Sequence, residues 1–195
     1  MPDLKLLAVA RTVPWLPLGI ATALSVVIVA WPVQDPGPTG LQAVATLLAS
    51  AGGFALDDPA GNVLAASPTS IVRRRLLRLL VVCVPVGLAW ALALAVRGTA
   101  GLEETRTLTA MFAGLVGLSL AIAGVIGRRR LLGGAFVAPA LLALVFLSTV
   151  FPPRWRPLPM GDIPGGLVQI TLRWSVAAMV GAVVFLASSR DPAAR

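Results

Sequence analysis

Two adjacent carboxylates, Asp57 and Asp58, are the first side chains whose spacing suggests chemistry. Paired aspartates at a membrane face can hold magnesium against a pyrophosphate. Magnesium wants several oxygen ligands, and the residues that follow, Pro59-Ala60-Gly61-Asn62, add no carboxylate. A capping role fits better: Asp57 or Asp58 caps a helix whose first residue is Pro59, a favoured order. That helix would cover residues 59–66 and stop at Ser67-Pro68, because proline disfavours helical geometry in the residue before it. Thr69 or Ser70 can then cap a second helix, which carries Arg73, Arg74, Arg75 and Arg78 onward into an apolar stretch. On that helix Arg74, Arg75 and Arg78 share one side, and Val72, Leu76 and Leu79 share another.

A second candidate is Ser119 in Gly117-Leu118-Ser119-Leu120-Ala121, which has the look of an intramembrane nucleophile. Such a serine needs a base, normally histidine, and the sequence contains no His. Packing explains the segment better. Ala113, Gly117 and Ala121 recur every four residues, as do Ser119, Ala123 and Gly127, and further upstream Ala45, Ala49 and Gly53. Small-residue stripes of this kind let helix backbones approach closely in lipid.

Other chemistry is excluded by residue type. Lys5 is the only lysine and follows Met-Pro-Asp-Leu rather than a glycine-rich loop, so the chain has no phosphate-binding loop of its own. With no His and a single cysteine, Cys83, neither a zinc site nor an internal disulfide can form. Arginine so far outnumbers lysine, and alanine is so abundant, that the coding sequence reads as GC-rich and bacterial.

The elements that must position these residues follow from hydropathy. Of 195 residues, 57% are apolar and 12% charged, where a soluble domain carries about 25% charged. The mean hydropathy is +0.90. A membrane helix needs about 20 apolar residues to cross a hydrocarbon layer of about 30 Å. Six windows meet or approach that length: 14–32, 40–56, 76–96, 107–127, 131–151 and 167–187. The second is the shortest and carries Gln42, Thr46 and Ser50. The expected fold class is an all-α integral membrane protein of one domain, residues 1–195, with six transmembrane helices.

Orientation follows from the basic residues, which accumulate on the cytoplasmic side. With the N-terminus inside, Lys5, Arg11, Arg73, Arg74, Arg75, Arg78, Arg128, Arg129, Arg130, Arg190 and Arg195 are cytoplasmic. Arg97, Arg106, Arg154, Arg156 and Arg173 are external, two of them offset by Glu103 and Glu104. Both termini are therefore expected in the cytoplasm. Trp15 and Trp31 suit the two interfaces of the first span, about 24 Å apart along a helix. A cleaved signal peptide is the rival reading of that window, with Lys5 and Arg11 as its basic region. Ile28-Val29-Ala30 is a poor cleavage site, and the nearly full-length apolar run favours a retained span. No Asp, Glu or Lys lies within a window, which disfavours proton-coupled transport. Arg173 can snorkel to the outer surface.

Six spans with cytoplasmic ends, an amphipathic leader, a short helix between spans two and three and a tight turn at Arg128–Arg130 together resemble an ABC type-2 (type V fold) transporter permease. The stretch Phe54-Ala55-Leu56-Asp57-Asp58-Pro59-Ala60, followed by Ser67-Pro68 and the arginines, is similar to actinobacterial permeases encoded beside ATPase genes. The resemblance implies an amphipathic connecting helix over residues 1–13, a cytoplasmic coupling segment over 57–75 and an external segment over 152–166. It implies an ATPase interface at Asp57, Asp58, Pro59, Asn62, Arg74 and Arg75, with a second cytoplasmic contact at Arg128, Arg129 and Arg130. ATP and magnesium would sit on two copies of a partner ATPase, and this chain would itself be no enzyme and hold no cofactor. A second permease subunit would complete a homodimer or heterodimer in the bacterial inner membrane, with no role for nucleic acid. The expected function is export of a lipidic, drug-like or peptide substrate. The alternative is a non-transporting membrane scaffold or assembly protein that recruits a cytoplasmic partner. An enzyme of lipid or isoprenoid metabolism ranks third. The chain departs from the family in its small size and in external loops too short for a receptor domain.

Overall fold

The computed structural model describes residues 13–30, 37–54, 71–97, 101–127, 134–150 and 166–189. They form six α-helices: α1 (Trp15–Ala30), α2 (Gly37–Phe54), α3 (Ile71–Arg97), α4 (Leu102–Ile126), α5 (Val137–Val150) and α6 (Gly166–Ser189). A 3-10 turn, Gly134–Phe136, leads into α5. Among the described residues there is no strand, and each helix falls on one of the six apolar windows.

Among the described residues three helices are long and apolar enough to cross a membrane, over Arg75–Arg97, Leu102–Ile126 and Gly166–Ser189. The described stretches of the apolar helices α1 and α5 cover 16 and 14 residues of their windows. At 1.5 Å per residue α1 reaches about 24 Å. In α5 the regular helix begins at Val137, after the 3-10 turn that opens on Gly134, glycine being the poorest helix former after proline. In the other direction α3 starts at Ile71, so the arginines ride on its first two turns in one continuous helix with the apolar stretch, as their spacing predicts. Pro85 lies inside α3. A proline there removes one backbone hydrogen bond, which membrane helices tolerate when neighbouring groups satisfy the freed carbonyl.

Side-chain contacts fix the helix directions. Thr107 meets Thr171, Gly117 meets Ala178 and Gly124 meets Ser188, so α4 and α6 run parallel. Arg75 reaches Ser189 and Gly127, which places the start of α3 at the ends of α4 and α6. Gly53, near the end of α2, abuts Val137, the first residue of α5. The upper half of α1 faces the upper half of α3. The helices therefore alternate in direction. One end of the bundle gathers the starts of α3 and α5 and the ends of α2, α4 and α6. The other gathers the ends of α1 and α3 with the starts of α4 and α6.

The core is built around α2, which packs on α1, α3, α4 and α5. Val44, Ala45, Leu48 and Ala49 are wholly inaccessible. Two of the polar residues that make α2 the weakest window satisfy themselves: Thr46 Oγ1 donates to the Gln42 carbonyl at 2.8 Å and Ser50 Oγ to the Thr46 carbonyl at 2.7 Å. Back-bonding of this kind lets hydroxyls be buried without an external partner. The outside of the bundle is greasy instead. Leu80, Val84, Leu88, Leu92 and Val96 form an exposed stripe at four-residue spacing on α3, and Val168, Leu172, Met179 and Val183 are exposed on α6. Contiguous apolar surface on this scale suits hydrocarbon, not water.

Candidate functional site

The polar chemistry of the described residues concentrates where α3 begins and α4 and α6 end. Arg73 is exposed, Arg75 is half-buried, and Arg78, one turn deeper, is only 5% exposed. Arg75 Nη1 lies 3.5 Å from Ser189 Oγ, and its Nη2 lies 3.5 Å from where a side chain on Gly127 would begin. The Ser188 and Ser189 hydroxyls both donate to the Phe185 carbonyl at 2.8 Å, turning the last turn of α6 back on itself. Gly127 closes α4 in a similar way, its N–H donating to the Ala123 carbonyl at 2.8 Å.

Electrostatics explains the gathering. Cations at a helix N-terminus oppose its macrodipole, whereas cations at a C-terminus are stabilised by about 0.3–1 kcal/mol. The arginines sit at the unfavourable end of their own helix α3, but at the favourable ends of both α4 and α6. The junction is thus a cationic clasp joining three helices. Among the described residues its polar groups are the arginines and the Ser188 and Ser189 hydroxyls, and its net charge is positive.

Of the residues expected at an ATPase interface, Arg74 and Arg75 lie on the first turns of α3, and Arg75 is turned toward Ser189. Asp57, Asp58, Pro59 and Asn62, the helix expected over 59–66, and Arg128, Arg129 and Arg130 lie outside the described residues. So do the leader up to residue 12, residues 152–165 of the external segment and the tail beyond Ser189. The burial of Arg78 was not read from sequence, although its place three residues after Arg75 puts both on one face.

Away from the clasp, α4 and α6 meet along a seam of small residues. A side chain on Gly181 would collide with the Gly117 backbone, one on Gly114 with the Trp174 ring and one on Gly124 with the Ser188 hydroxyl. At the opposite end from the arginines the hydroxyls of Thr107 and Thr171 are 2.9 Å apart and hydrogen-bonded. Ser119 is wholly buried and donates to the Leu115 carbonyl at 2.8 Å, a satisfied helix hydroxyl with no base beside it. Among the described residues no group of three or more His, Cys, Asp or Glu could hold a metal ion. Arg173 is exposed on α6, near the Thr171 end.

No family model matches the chain, and neither a curated protein nor a solved structure matches it significantly.

Proposed function

We propose that this chain is the membrane-spanning permease subunit of an ATP-binding cassette transporter in a bacterial cytoplasmic membrane. In this reading all six helices cross the bilayer, the arginine end is cytoplasmic, and a separate ATPase supplies ATP hydrolysis with its own magnesium. Two ATPase copies would serve a pair of permease chains. The observation that carries the proposal is the arginine clasp. A partner gripping the segment that leads into α3 would move α3 and, through Arg75, the ends of α4 and α6. Cargo of lipidic, drug-like or peptide character suits the helix faces. Among the described residues Glu103 and Glu104, in the first turn of α4, are the only acidic side chains, and no lysine occurs.

The test starts from the gene neighbourhood, where the proposal expects an adjacent ATP-binding cassette gene, and continues with co-expression of the two proteins and purification in mild detergent. The wild type should copurify with the ATPase and stimulate its turnover. Asp57→Ala with Asp58→Ala removes at most a helix cap, worth about 0.5–2 kcal/mol. That double variant should insert normally and lose the stimulation. A chain that stays monomeric and binds no ATPase would refute the permease reading and leave the scaffold.

A further inference from the structure

At the end of the bundle away from the clasp, α1 and α3 stand apart and leave an open groove of about 130 Å³. Its walls are Thr22, Ser25, Val26, Val29 and Ala30 on α1, and Ala89, Leu92, Ala93 and Val96 on α3. Small side chains on both helices make the room. The wall is apolar even at Ser25, whose hydroxyl is spent on the Ala21 carbonyl at 2.7 Å. From Thr22 to Ala30 the groove runs along the helix axis for about 12 Å. That is close to the depth of one leaflet, half of the ~30 Å hydrocarbon layer.

The groove is crowned by charge. Ala89, Ala93 and Arg97 recur at four-residue spacing, so Arg97 stands above the two alanines on the same face of α3. Arg97 is half-buried, and its Nε is fully covered with no hydrogen-bond acceptor among the described residues. The covered Nε is out of a ligand's reach, but no hydrogen bond or ion pair holds the guanidinium among the described residues, and the anion that would suit the rest of this half-buried group best is a phosphate, which arginine binds with parallel N–H donors.

We propose that the α1–α3 groove is a binding site for one anionic phospholipid. An acyl chain lies along Val26, Ala89 and Ala93, and the headgroup phosphate rests on Arg97. A leaflet-length apolar channel ending at an unsatisfied arginine matches the amphiphile that surrounds any membrane protein. Inorganic phosphate lacks the chain that would fill the channel, and a peptide helix is too wide for it. The inference needs the chain to lie in a bilayer but is independent of transport, so the site can hold lipid whether or not an ATPase binds.

Native mass spectrometry of the full chain, released from mild detergent after mixing with phosphatidylglycerol or diacylglycerol of identical acyl chains, tests the site. The wild type should retain one phosphatidylglycerol with about ten-fold preference over diacylglycerol, which lacks the phosphate, the worth of one charge-assisted hydrogen bond. Arg97→Gln removes the charge but keeps a polar side chain, and should abolish the preference. Val26→Trp fills the groove from an exposed position that leaves the core untouched, and should lower retention of both lipids. Arg173→Gln, at an exposed arginine on α6, should change neither. Equal loss of phosphatidylglycerol in Arg173→Gln and Arg97→Gln would mean diffuse attraction to a basic surface and would overturn the site. So would undiminished retention in Val26→Trp.

Discussion

Between α4 and α6 small residues bring two backbones into contact, whereas between α1 and α3 they leave a gap. The compositions are alike: Gly114, Gly117, Gly124 and Gly181 at one interface, Ser25, Ala30, Ala89 and Ala93 at the other. What differs is the helix partnership. α6 packs mainly on α4 and has no other extensive neighbour, so the pair can close until glycine meets glycine. α1 and α3 both lean on α2, whose buried face sets their separation. Small residues therefore permit close approach without enforcing it. Where a third helix holds two others apart, the same residues create a cavity.

The comparison can be broken by adding bulk on each side. Gly181→Leu should have the largest effect, because its side chain would enter the Gly117 backbone rather than a flexible chain end. Overpacking typically costs about 1–3 kcal/mol, and with backbone as the obstacle the upper end is expected. Thermal unfolding in detergent should show a large fall in midpoint or loss of a monodisperse species. Next comes Thr107→Val, which removes one interhelical hydrogen bond to Thr171. Bonds of this type in membrane proteins average about 0.6 kcal/mol, so a small but measurable drop is expected. Smallest of all should be Ala89→Leu. It adds the same kind of bulk as the first variant but places it in the groove, and the shift should stay within about 0.5 kcal/mol. A large loss in Ala89→Leu would show that the gap between α1 and α3 is closed in the membrane.

The six helices were legible because each is a run of apolar residues bounded by proline, glycine or charge. The α2 stripe of Ala45, Ala49 and Gly53 is buried as its spacing suggests, Gly53 against Val137. Of the two stripes read on α4, the one through Ser119 and Ala123 is buried, whereas in the other Gly117 contacts α6 but Ala113 is exposed, and the seam also uses Gly114 and Gly124. Periodicity gives the existence of a small face. Which of two adjacent stripes is buried depends on the partner, here on Trp174 covering Gly114. The stack of Trp90 on Phe112, with centroids 4.8 Å apart, joins α3 to α4 through residues that carry no mutual signal in sequence. The groove and the clasp were hidden for the same reason. Both depend on distances between helices far apart in the chain, such as the 3.5 Å from Arg75 to Ser189.

The permease proposal depends on the arginine end facing the cytoplasm of a six-span protein, and cysteine accessibility measures that directly. In a Cys83→Ala background, Gly37→Cys and Gly101→Cys stand at one end of the bundle, while Ser67→Cys and Arg190→Cys adjoin the other in sequence. With an impermeant thiol reagent on intact cells, positions 37 and 101 should label, and positions 67 and 190 only after permeabilisation. Labelling of position 67 or 190 in intact cells would contradict the account.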